Sequence, residues 1–139
     1  MKLKQVVTAA AGACLLLAGS AQAHHAVQAS VDVNTIVEYD YAILTKIDWI
    51  NPHTWMHFDV TLADGTVIED VLVESLGIAA LRRVGLSSKS AFSVGDIYEI
   101  SFYPNRDGSN GGFMSRMVLP DGRSYESRNE DPTAVGPSS

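Results

Sequence analysis

The sequence predicts a mainly β domain, a small barrel of five or six strands with one short helix inserted between strands. Three observations carry this. Short runs of β-branched and aromatic residues recur between residues 35 and 127. Asp-Gly turn signals at Asp64-Gly65 and Asp121-Gly122 join neighbouring runs into hairpins. A helical period occurs in the stretch from Ser75 to Val84.

In chain order, Thr35 to Ile50 reads as a strand with a bend, ended by Asn51-Pro52. Thr54 to Leu62 is the next strand, and Ala63-Asp64-Gly65 turns it onto Thr66 to Glu74. In the helix, Leu76, Ala79, Ala80 and Arg83 share a face, Ser75 is expected to cap the start and Gly85 to stop the end. After the turn Ser93-Val94-Gly95-Asp96 comes a strand at Ile97 to Tyr103, then a polar loop from Pro104 to Gly112. Phe113 to Leu119 and Arg123 to Glu126 form the last hairpin, around Pro120-Asp121-Gly122. A helix between the third and fourth strands is the arrangement of an oligomer-binding (OB) barrel, and closure removes exposed edges. A two-sheet sandwich is the alternative. The predicted core includes Ile50, Met56, Phe58, Val60, Val71, Val73, Ile97, Ile100, Phe102 and Val118.

The N-terminus reads as an export signal. Lys2 and Lys4 precede an apolar run from Val6 to Ala18, and Ala21-Gln22-Ala23 gives the small-x-small pattern of a cleavage site. The run is short for a membrane span, and Cys14 lies inside it rather than at its end, which argues against a lipid anchor. The expected organisation is a cleavable signal at residues 1–23, one β domain at 24–127 and a disordered tail at 128–139, poor in large aliphatic side chains. The mature protein is expected in the periplasm, with no membrane span.

Cleavage removes Cys14, the one cysteine, so the mature domain has neither disulfide nor thiolate ligand. Losing Lys2 and Lys4 leaves eight basic residues against sixteen acidic ones, a formal charge of −8. Such a surface repels phosphate backbones and excludes nucleic acid as a partner, while metal ions and periplasmic proteins stay open.

All four histidines fall in the mature chain: His24, His25, His53 and His57. His53 and His57 lie at a spacing that would share a metal on a helix. On a strand they stand about 13 Å apart and cannot enter one coordination shell. The alternation places Trp49, His53, Trp55, His57 and Asp59 on an outer face and Ile50, Met56, Phe58, Val60 and Leu62 on the core face. The N-terminal pair is the better lead. As first residue, His24 offers an α-amino group and an imidazole, a chelate that a second imidazole from His25, His53 or His57 would complete. Nitrogen-only donor sets favour copper(II). No phosphate loop, dinucleotide fingerprint, EF-hand or nucleophile–base set is readable, so binding is favoured over catalysis.

His24-His25 after the signal, Trp49-Ile50-Asn51-Pro52-His53, the Asp64-Gly65 hairpin, Leu81-Arg82-Arg83-Val84-Gly85, Val94-Gly95-Asp96 and Pro120-Asp121-Gly122 follow in that order. This pattern resembles a bacterial family of exported proteins of unknown function with a mature His-His start and a Trp-x-Asn-Pro-His motif. Ala26, Leu86 and the lack of a glycine near Ala42 depart from its usual pattern. The resemblance implies that His24, His25 and His53 are the positions to watch. The competing expectation is a metal-free barrel that binds a protein or small ligand through Trp49, Trp55 and His57.

Overall fold

The computed structural model describes residues 29–50, 52–86, 91–128 and 131–136. Its elements are β1 (Val37–Trp49), β2 (Thr54–Thr61), β3 (Val67–Ser75), α1 (Ile78–Arg83), β4 (Ile97–Pro104), β5 (Gly111–Val118), β6 (Ser124–Arg128) and β7 (Asp131–Gly136). The strands lie in the order β3-β2-β1-β4-β5-β6-β7. A parallel pairing of β3 with β5, at Leu72↔Gly111 through Glu74↔Phe113, closes β1–β5 into a five-stranded barrel. With α1 between β3 and β4, this is the OB-like order expected from the sequence. β6 extends the sheet beyond β5, and β7 pairs with β6 where the sequence reading places a tail.

The bend expected in the first strand has a specific cause. The β1 register shifts between Tyr39 and Ala42 against β4, and between Leu44 and Lys46 against β2. Each bulge adds twist and lets one long strand serve both halves of the barrel. Val37–Tyr39 pair only with β4, Ala42 and Ile43 pair with both β4 and β2, and the residues from Leu44 to Trp49 pair only with β2.

Strict alternation in β2 buries Thr54, Met56, Phe58 and Val60 and leaves Trp55, His57, Asp59 and Thr61 half-exposed. Met56, Phe58, Val60, Val71, Val73, Ile100 and Phe102 form the core as expected, and Val118 is half-buried. Ile50 and Ile97 do not, being 56% and 41% exposed. Ile50 lies beyond β1, its N–H donating to Asp48 O in a turn. Ile97 differs in parity from Ile100, and Tyr98 takes the inward position instead.

The helix is shorter than expected. Ser75 is the last residue of β3 rather than a cap; its hydroxyl is buried 2.6 Å from that of Tyr125 on β6. Gly77 precedes the first turn without a side-chain cap. Gly85, at φ 78°, follows the helix end as expected. Leu81 is the buried residue of α1 and joins Leu76 and Leu86 in the core.

Four turns share one device. Asp32, Asp64, Asp107 and Asp121 each accept the backbone N–H two residues ahead, at 3.2, 2.9, 2.9 and 3.0 Å. Hydrogen bonds hold all four carboxyls below their usual range: chiefly the Thr35 hydroxyl for Asp32, the Thr66 N–H for Asp64, the Ser109 hydroxyl for Asp107 and the Arg123 N–H for Asp121. A lowered folded-state value means stability that is fully present above the unfolded carboxylate value near 3.9 and lost as pH falls through the folded values. Urea midpoints are therefore expected to hold down to about pH 5 and to decline steadily below about pH 4. Replacing Asp64 and Asp121 together by Asn should flatten that decline; an unchanged acid slope would remove the turns as its source.

Candidate functional site

The site begins where β1 hands over to β2. Pro52 fixes its own φ and lies against the start of α1, where Gly77 has no side chain. A Cβ on Gly77 would collide with the Pro52 carbonyl oxygen, so this close approach requires glycine. His53 follows, just before β2. Its Nδ1 meets Glu74 Oε1 of β3, and both side chains are largely buried, at 20% and 17% exposure. The ring stands edge-on to Phe113 of β5, centroids 6.1 Å apart. Glu74 and Phe113 face each other in the pairing that closes the barrel. His53 is thus fixed by closure itself.

A carboxylate only accepts, so His53 Nδ1 carries the hydrogen; in the neutral ring Nε2 keeps its lone pair. This is the arrangement in which a second carboxylate orients a ligating imidazole. Two buried hydroxyls nearby, Thr54 Oγ1 and Tyr103 OH, have no hydrogen-bond partner among the described residues. Thr54 adjoins His53, and Tyr103 is the β4 partner of Phe113.

His57 is held differently. Nδ1 lies 2.6 Å from Asp70 Oδ1 and Nε2 3.2 Å from Asp48 Oδ2. Asp70, at the register shift between β2 and β3, is the one non-glycine residue with positive φ, 52°, among the described residues. Its N–H donates to Asp59 Oδ1 at 3.0 Å. The Lys46 ammonium, 2.7 Å from Asp48, holds that carboxyl below its usual range, with His57 adding to the effect. Each ring nitrogen thus faces a carboxylate oxygen within hydrogen-bond distance. His57 therefore ties β1, β2 and β3 together across the outer face, with neither nitrogen free.

The tryptophans part company. Trp55 shares the outer face with Asp48 and Glu74, its register partners. Trp49 pairs with buried Thr54, packs against the core and lies 6.0 Å from the ring of Phe92. The second bulge of β1 causes the separation by reversing the strand's parity after Leu44. Trp49, Trp55 and His57 therefore do not form the single surface expected from alternation. His24 and His25 lie outside the described residues.

No group of three His, Cys, Asp or Glu side chains among the described residues is placed to hold a metal ion. His53 is consequently one available donor that needs others. Sequence reading missed its partner Glu74, and also Asp48 and Asp70. Those pairs span 21, 9 and 13 residues, and no local pattern marks them.

Fold and site define a closed, OB-like β-barrel with an oriented histidine at its closing seam. Residues 13–115 match the family described as a family of unknown function (DUF6152), and the chain belongs to it. No curated protein and no solved structure matches the chain. Among the described residues no helix is long and apolar enough to cross a membrane.

Proposed function

We propose that the chain is exported to the periplasm, loses residues 1–23 and binds copper(II) between its new N-terminus and His53. The observation that carries this reading is the His53–Glu74 pair, which orients the ring and leaves Nε2 as a donor. His24 supplies the amine and a second imidazole, and His25 a third imidazole as the fourth nitrogen ligand.

The path of the chain supports it. Ser30 O accepts from Arg106 N–H at 2.9 Å, and Asp32 N–H donates to Pro104 O at 2.9 Å. Pro104 pairs with Gly112, the residue before Phe113, against which the His53 ring stands. The first described residues are therefore tied to the β4–β5 pair that leads into the seam, one residue before the Phe113 ring that meets His53. Six residues separate His24 from Ser30, a reach of about 20 Å when extended. The donors are nitrogen only, which favours copper(II) over zinc by the Irving–Williams order. The metal-free alternative has less support, because Trp49 is packed inward and both nitrogens of His57 are engaged.

The test is a copper(II) titration of periplasmic protein whose intact mass confirms a start at His24. His53→Ala and Glu74→Ala are each expected to weaken binding about 10- to 100-fold, the usual range for an orienting carboxylate. An extra residue before His24 should weaken it comparably, and His57→Ala should change it little. Equal affinity in the wild type, His53→Ala and the extended form would refute the site.

A further inference from the structure

The start of β1, paired with β4 on one side alone, carries a second and independent reading. Val37–Tyr39 pair only with β4, Asp40 and Tyr41 lie in the register shift that follows, and β2 joins β1 from Ala42 onward. Alternate backbone N–H and C=O groups on this stretch therefore point away from β4, with no strand beside them among the described residues. The gap between this edge and the β2–β3 turn is an open cleft of about 430 Å³, lined by Glu38, Tyr39, Asp40, Tyr41, Leu62 and neighbours. Tyr39 also borders a recess of about 140 Å³ that runs onto Val71 and Phe102 of the barrel core. Glu38 and Asp40 are exposed, and Tyr41 is 44% exposed. No Lys, Arg or His lines either space.

We propose that this edge docks an extended, basic segment of another exported protein by strand addition. Three features choose that occupant. The free backbone edge offers main-chain hydrogen bonds that a small organic cation cannot use. Glu38 and Asp40 set an acidic row beside it, matched by lysine or arginine on an added strand. Tyr39, against Phe102, and Tyr41 supply aromatic surface for the apolar side chains that alternate with the basic ones on an added strand. A second copy of this chain is disfavoured, because pairing like edges opposes Glu38 and Asp40 to the same carboxylates.

The experiment uses a capped hexapeptide alternating lysine and valine as probe. The arms are the same peptide with glutamate for lysine, and n-butylammonium as the small cation. Affinity is measured at low and high salt, with hydrogen exchange read on the β1 amides. The lysine peptide is expected to bind, to protect amides within Val37–Tyr41 and to weaken with salt. The pair Glu38→Lys and Asp40→Lys should lower its affinity at least 10-fold. Both sites are exposed, and unchanged urea midpoints with unchanged copper titration confirm that the variant is folded. Equal binding of the glutamate peptide, equal binding of n-butylammonium, protection confined to other strands, or indifference to the charge reversal would each overturn the proposal.

Discussion

Phe58→Ala is expected to destabilise the domain by about 3–5 kcal/mol, the usual range for deleting a buried phenylalanine. Phe58 is 0% exposed. It faces Leu44 of β1 and Val71 of β3 across the two ladders, and its ring stands edge-on to Tyr98, centroids 6.3 Å apart. The side chain thus touches β1, β3 and β4 at once, and a cavity there cannot be filled by moving one neighbour. Against a total stability of about 5–15 kcal/mol for a domain, the loss is a large share. Phe58→Leu retains most of the volume and should cost distinctly less. Urea titration checks both, with the m-value expected to stay constant if only stability changes. A loss within about 0.5 kcal/mol for Phe58→Ala would contradict the inward placement of the even positions of β2.

That placement was legible because β2 is a regular strand. Met56, Phe58 and Val60 alternate with His57 and Asp59, and one residue type per face is enough to set the phase. The Asp64 and Asp121 turns were legible for the same local reason, since each carboxylate bonds the backbone two residues on. What failed was phase across a bulge. Trp49 and Trp55 have the same parity in sequence, yet the shift between Leu44 and Lys46 puts them on opposite faces. Ser75 looked like a helix cap because Ser before an apolar period is a cap signal; its hydroxyl is instead taken by Tyr125, fifty residues on. The site divides along the same line. His53 could be singled out from its motif, but the carboxylate that orients it arrives on β3, through a pairing that depends on the whole barrel closing.

Closure accounts for more than the site. The antiparallel ladders β1–β2, β2–β3 and β4–β5 join neighbours in the chain or nearly so, but the β3–β5 pairing is parallel and spans the helix and all of β4. Its three residue pairs hold Glu74 beside Phe113, so the orientation of His53 is only as firm as that short seam. The seam in turn depends on two glycines at the start of β5, where backbone approaches backbone too closely for any Cβ.

Gly111→Ala is therefore expected to be the most damaging small substitution, costing about 3–5 kcal/mol from two sources that act together. Gly111 has φ 133°, a conformation that side chains rarely adopt. An added Cβ would also collide with the backbone of Leu72, its partner across the seam, and backbone cannot swing aside as a flexible side chain does. Gly65→Ala is the control that separates the two. Gly65 has φ 85°, but nothing lies within 4 Å of where its Cβ would stand, so only the conformational strain remains, about 1 kcal/mol. Urea midpoints of the two variants measure the difference directly. At the copper site proposed above, the Gly111 variant should also bind more weakly, because a loosened seam frees Glu74 from His53. Equal destabilisation by the two substitutions would mean that closure at Leu72–Gly111 contributes little, and that His53 is held by Pro52 and Gly77 rather than by the barrel.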